Sequence, residues 1–168
     1  VRGVQKYLTP NTEAAEATTA TTLTAFGSDG FTEGGHGITG GSSATYVAWC
    51  WKESATAGFD IVLYTGTGST ATPSHSLSAV PHVMIVKRRN TSEGWQIYHH
   101  KNTAAPETDV LTLDTSAATS DESNRWNDTA PTSSVFTVED HVTVNAADDT
   151  YVNYLWTEKQ GFSKFGSY

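Results

Sequence analysis

The stretch Phe31–Glu53, FTEGGHGITGGSSATYVAWCWKE, is answered 105 positions later by Phe136–Glu158, FTVEDHVTVNAADDTYVNYLWTE. Phe31-Thr32, His36, Thr45-Tyr46-Val47, Trp51 and Glu53 meet the same residue types at Phe136-Thr137, His141, Thr150-Tyr151-Val152, Trp156 and Glu158. After a two-residue deletion Gly58-Phe59 returns as Gly161-Phe162. A register held over that distance, with aromatic residues at the fixed points, is how one structural element used repeatedly looks in sequence. The spacing predicts a repeat over 31–59 and 136–162, in a chain holding about one and a half units. A chain that starts and stops partway through a unit reads as a piece of a longer fibre, or as a protomer completed by strands of its neighbour.

The composition agrees with an all-β fold. Only seven Leu and one Met are available for a core, against five Trp, seven Tyr, six Phe and 27 Thr. Aromatic and β-branched side chains suit a pleated, half-buried surface, and 14 Gly with many Ser, Asn and Asp supply turns.

Along the chain, residues 1–25 lack the i, i+3, i+4 apolar recurrence of an amphipathic helix and read as an extended arm that ends in a strand near Phe26. Residues 26–168 read as the β module. Thr45 to Lys52 is the first strong strand, with Cys50 buried in it as a small hydrophobe and Trp51, like Trp156, in the core. Further strands are expected at Phe59–Tyr64, Val83–Arg88, Gly94–His100, Val110–Asp114, Ser134–Val138, Thr150–Trp156 and Phe162–Tyr168, the second and third of these forming a hairpin across Asn90–Gly94. Short strands with polar turns and no convincing helix predict an antiparallel β-sandwich, with a closed barrel as the competing architecture.

The formal charge of −8 and the lack of a basic stripe longer than Lys87-Arg88-Arg89 disfavour nucleic acid as a partner. No stretch approaches the roughly 18 apolar residues of a membrane-spanning helix. Charged residues make up only 17 % of the chain, below the usual quarter, on a Thr- and Ser-rich surface of the kind common on secreted or virion-exposed proteins.

The strings ATYVAWCWK, GFDIVLYTGTGS, HSLSAVPHVMIVKRR, WQIYHH, WNDTAPTSSVFTV and GFSKFGSY, in that order from about Phe26 onward, resemble an uncharacterised repeat domain of bacteriophage virion proteins, common in marine phages and in tail-fibre proteins. The resemblance implies a concanavalin-like or jelly-roll-like β-sandwich used in tandem on virions, and it carries no catalytic residues with it.

Candidate chemistry is sparse. The acid pairs Asp121-Glu122, Glu139-Asp140 and Asp148-Asp149 fall in loops and read as solvated turn residues, without the facing geometry of a glycosidase or the alternating ligands of a calcium loop. The six histidines lack zinc-site spacing, and His36 and His141 each follow a Phe by five residues, which signals a shared loop shape. No Gly-x-Ser-x-Gly elbow and no phosphate loop are present. The expectation is a protein that is not an enzyme, with no catalytic residue, metal or cofactor. The make-up of a sugar-binding surface, rings beside hydrogen-bonding groups, is met by Trp95, Tyr98, Arg125, Trp126, Asn127 and Asp128. The reading is a virion structural module, extracellular on the particle, in an exposed tail fibre or appendage, acting in assembly and host-surface adhesion. Its partners would be copies of itself, other virion proteins and a host surface glycan. A carbohydrate-binding receptor-recognition module and a capsid decoration protein are the alternatives.

Overall fold

The computed structural model describes residues 3–167 and divides into two compact units, Val1–Thr9 with Glu16–Cys50 and Pro10–Ala15 with Trp51–Tyr168. In the smaller unit β1 (Lys6–Tyr7) pairs antiparallel with β2 (Ala17–Thr18), and β3 (Leu23–Phe26) pairs antiparallel with β4 (Phe31–Glu33), with an irregular register between Leu23 and Ala25. β3 lies where a strand near Phe26 was expected, and within residues 1–25 the pairing β1–β2 is added to the extended arm.

The larger unit is a six-stranded antiparallel sheet in the order β5 (Phe59–Thr65), β10 (Thr150–Trp156), β6 (Val83–Arg88), β7 (Gln96–His99), β8 (Asp109–Thr112), β9 (Ser120–Asp121). A 3-10 turn covers Pro106–Thr108, and two single-turn helices, α1 (Ser123–Trp126) and α2 (Val142–Asn145), lie between β9 and β10. The protein is therefore mostly β, with short helices that apolar periodicity could not announce because each is a single turn.

β10 is the strand around which the sheet is organised. Its ladder runs from Thr150↔Thr65 to Trp156↔Phe59 on one edge and from Tyr151↔Arg88 to Trp156↔Val83 on the other. TYVNYLW is a near-continuous run of β-formers, as a strand covered on both faces requires. Directly opposed residues share a face, so Tyr151 and Leu155 stand with Tyr64, Val62, Met84, Val86 and Tyr98. This face meets Leu77, Trp126, Phe136, Val138 and Val144 to make the core. The covering layer is built from isolated bridges, Ala71↔Val138 and Ser74↔Val135, together with α1 and α2. Ser134–Val138 thus contributes bridges in place of the strand expected there.

Two local features hold the sheet's ends. Gly58 enters β5 at φ +72°, where a Cβ would stand 2.7 Å from the Thr157 carbonyl oxygen that the tight turn brings against it. Lys87, fully buried on β6, donates to the carbonyls of Glu93 (2.7 Å) and Glu13 (3.0 Å), while the indole of Trp95 donates to that of Thr12. Residues 10–15 belong to the larger unit because the buried ammonium must find oxygen partners.

Besides Ser134–Val138, two expected strands are not formed. Thr45 to Lys52 has no regular secondary structure and joins no sheet, and residues 162–167 are irregular beyond the bridge Lys159↔Ser163, Tyr168 lying outside the described residues. Cys50 is exposed and Trp51 more than half exposed, against the expectation of burial. An apolar pattern states what a segment can bury and says nothing about whether a partner edge is present.

Asn153 is fully buried between Val62 and Val86, and neither atom of its amide finds a hydrogen-bond partner among the described residues. Asn153→Leu, which removes two unmatched polar atoms at similar volume, is expected to stabilise the fold by about 1–3 kcal/mol in denaturant titrations. Unchanged or lowered stability would show that the amide is satisfied.

Candidate functional site

The two similar stretches carry the same hydrogen bonds. His36 Nδ1 accepts from the Ile38 N–H at 3.2 Å, and His141 Nδ1 accepts from the Thr143 N–H at 3.2 Å. The His36 carbonyl accepts from the N–H groups of Thr39 and Gly40 at 2.8 and 2.7 Å, and that of His141 from Val144 and Asn145 at 3.0 and 2.8 Å. Each imidazole therefore caps the turn that it begins. The Tyr46 hydroxyl then donates to the Gly37 carbonyl at 2.8 Å and accepts from the Gly41 N–H at 2.9 Å. The Tyr151 hydroxyl donates to the Val142 carbonyl at 2.7 Å and accepts from the Ala146 N–H at 2.8 Å. A few residues earlier, Gly27 N–H to Gly30 O matches Thr132 N–H to Val135 O. All six bonds repeat at an offset of 105.

Each Tyr clasps the end of a capped turn to the start of an extended segment, with one donor and one acceptor of the hydroxyl used. The surroundings of the two clasps differ. Tyr151 is fully buried, stacks on Tyr64 at 5.1 Å and has its phenol pushed up by burial. Tyr46 is 48 % exposed, and Val47 and Trp49 after it are 78 % and 76 % exposed.

The residues offered for sugar stacking lie together, with their rings inside. Trp95, Tyr98 and Trp126 are at most 5 % exposed. The Trp126 indole donates to the Asp109 carbonyl at 2.9 Å, and Tyr98 meets that ring edge-on at 6.4 Å. Burial, then Glu107, pushes the Tyr98 phenol up to about 12. Arg125 Nε donates to Gln96 Oε1 at 3.0 Å. Asn127 closes α1 in the left-handed conformation and Asp128 continues there at φ +45°. Their arrangement is a capped helical turn on an aromatic core, and none of the three rings offers a face for stacking. Composition suggested a sugar site because buried and exposed aromatic clusters use the same residue types.

The acids serve turns and surface pairs. Asp149 binds Arg88 and accepts from Asn90 Nδ2 at 2.7 Å, and that hydrogen bond leads in holding its carboxyl below the usual range. Among the described residues no group of three or more His, Cys, Asp or Glu is arranged to hold a metal. His82 and His100 meet edge-to-face at 4.3 Å, and His82 Nδ1 accepts from the Glu158 N–H at 3.0 Å. Burial leads in lowering His82, with His100 next. These contacts tie the end of β10 to β6. An apolar cavity of about 430 Å³ is lined by Trp51, Val83, Ile85, Trp156, Phe162 and Phe165 among others, with the Ser163 hydroxyl and the two indoles as its side-chain polar groups. The arrangement supports pairing and packing of strands; the hydroxyl–imidazole contacts among the described residues, Thr143 Oγ1 with His141 Nδ1 at 2.8 Å and Thr157 Oγ1 with His82 Nδ1 at 3.1 Å, belong to the turn at His141 and to the end of β10.

The sequence signal for the clasp was the pair His36–Tyr46 and His141–Tyr151, each ten residues apart. Tyr151→Phe strips two partners from a buried turn and is expected to cost about 1–3 kcal/mol, while Tyr46→Phe, half exposed, should cost less than about 1 kcal/mol. Thermal unfolding of both variants checks this, and equal losses would contradict the difference in burial.

Comparisons with known proteins add a family and nothing finer. No curated protein and no solved structure matches the chain. A family described as a domain of unknown function, DUF7483, matches residues 1–168, and the chain belongs to it.

Proposed function

We propose that this chain is a non-catalytic structural module of a bacteriophage virion, part of an exposed tail fibre or similar appendage, working in assembly and in adhesion to the host surface. The observation that carries the modular part is the set of six hydrogen bonds repeated at a constant offset, with the clasping Tyr in both places. Independent loops have no physical reason to reproduce the same donors and acceptors at one spacing. The two stretches are copies of one element, and the complete unit is a β-sandwich, the six-stranded sheet forming one layer and the segments around Ala71–Ser74 and Val135–Val138 the other.

The virion setting rests on the resemblance to phage repeat domains described above. The mechanism is geometric. Strand edges of one copy are satisfied by strands of another, which yields an extended array. Partners are therefore further copies and neighbouring virion proteins.

The test is to locate the chain on particles. Mass spectrometry of purified virions should detect it, and antibody labelling should fall on the tail or its fibres. Labelling on the head would favour capsid decoration, and absence from purified particles would overturn the proposal.

A further inference from the structure

We infer that Thr45–Cys50 is a sheet strand whose partners are a β5-type strand on one edge and a β6-type strand on the other, supplied by another copy of the unit. The inference rests on reading the two stretches as copies, and it assigns to one of them the surface it is built to meet.

At the offset of 105, Tyr46, Val47, Ala48 and Cys50 correspond to Tyr151, Val152, Asn153 and Leu155. All four of the latter are fully buried on β10, held between β5 and β6. Their counterparts are exposed, and Val47 and Trp49 show more than three-quarters of their surface. Among the described residues the N–H and C=O groups of Thr45–Cys50 make no backbone–backbone hydrogen bond. A row of exposed Tyr, Val, Trp and Cys whose backbone groups are free of a ladder is an invitation to strand addition.

The Tyr46 clasp fixes the start of this segment as the Tyr151 clasp fixes β10, so the strand is anchored before any partner arrives. The occupant follows from the sequence of the buried copy. The strands that flank TYVNYLW in the sheet are β5 and β6, and the same pattern of residues at 45–51 fits the same two neighbours. In that register Cys50 stands where Leu155 does, opposite a residue equivalent to Met84.

The sole cysteine makes this measurable. A chain extended by a second copy of residues 54–105 placed ahead of Val1 restores β5- and β6-type strands at the repeat's own spacing. In the chain without the extension Cys50 should react with an aromatic disulfide reagent at close to the rate of a free thiol. In the extended chain the reaction should slow by about 100-fold or more, as expected for an amide-ladder strand that must open first. In oxidised-glutathione buffer, Met84→Cys made in the added copy alone should form a disulfide with Cys50, glutathione taking up the two electrons, and Ile85→Cys there, one register position away, should not. The extended chain should also unfold at a higher temperature. Rapid Cys50 reaction in the extended chain, no preference between the two cysteine positions, or an added copy that lowers the unfolding temperature would each overturn the inference. Cys50 protection together with absence from particles would leave the strand assignment standing and remove only the virion reading.

Discussion

A β-strand in the middle of a sheet must have both of its edges met, because each N–H and C=O withdrawn from water without a partner costs about as much as a lost hydrogen bond. β10 meets that demand along its length, with β5 on one side and β6 on the other. The core follows from this pairing, since Tyr151 and Leu155 can be buried only where Met84, Val86 and Tyr64 are brought alongside. The covering turns follow as well. α2 begins at His141 and is fastened to β10 through the Tyr151 hydroxyl, so the most buried strand and the cap over its end form one piece.

The same chain shows what a strand sequence does without edges to meet. Thr45–Cys50 has the composition, the upstream capped turn and the clasping Tyr of β10, and it stays outside every sheet. Local chemistry sets the turn because all its partners lie within ten residues. The strand depends on partners distant in sequence, and among the described residues these are present for Thr150–Trp156 and not for Thr45–Cys50.

This difference also marks what could be read from sequence. β5, β6, β7, β8 and β10 were legible because alternation and apolar runs report burial, and the β6–β7 hairpin because Asn90–Gly94 is a polar loop with Gly. The shared clasp left a signal because His and Tyr recur at one offset. The exposure of Cys50 and Trp51 was not, since hydrophobicity describes a segment's preference and not its neighbours. Nor was the burial of Trp95, Tyr98 and Trp126, because a core short of Leu recruits the rings that a sugar site would use. The single-turn helices α1 and α2 are too short for periodicity, and they are held by His141, by Asn127 in the left-handed conformation and by the Trp126 indole.

Amide hydrogen exchange on the 168-residue chain tests the central point most directly, because it reads each ladder bond separately. One segment paired on both edges and one unpaired, each behind the same Tyr clasp, predict protection of at least about 10³-fold at Val152–Leu155 and exchange close to that of an unstructured peptide at Val47–Cys50. They also predict that the Gly41 and Ala146 amides, each held by a Tyr hydroxyl, are both slowed relative to Val47–Cys50. Comparable protection of the two strand segments, or a Gly41 amide as open as Val47, would contradict the shared clasp and the unfilled strand together.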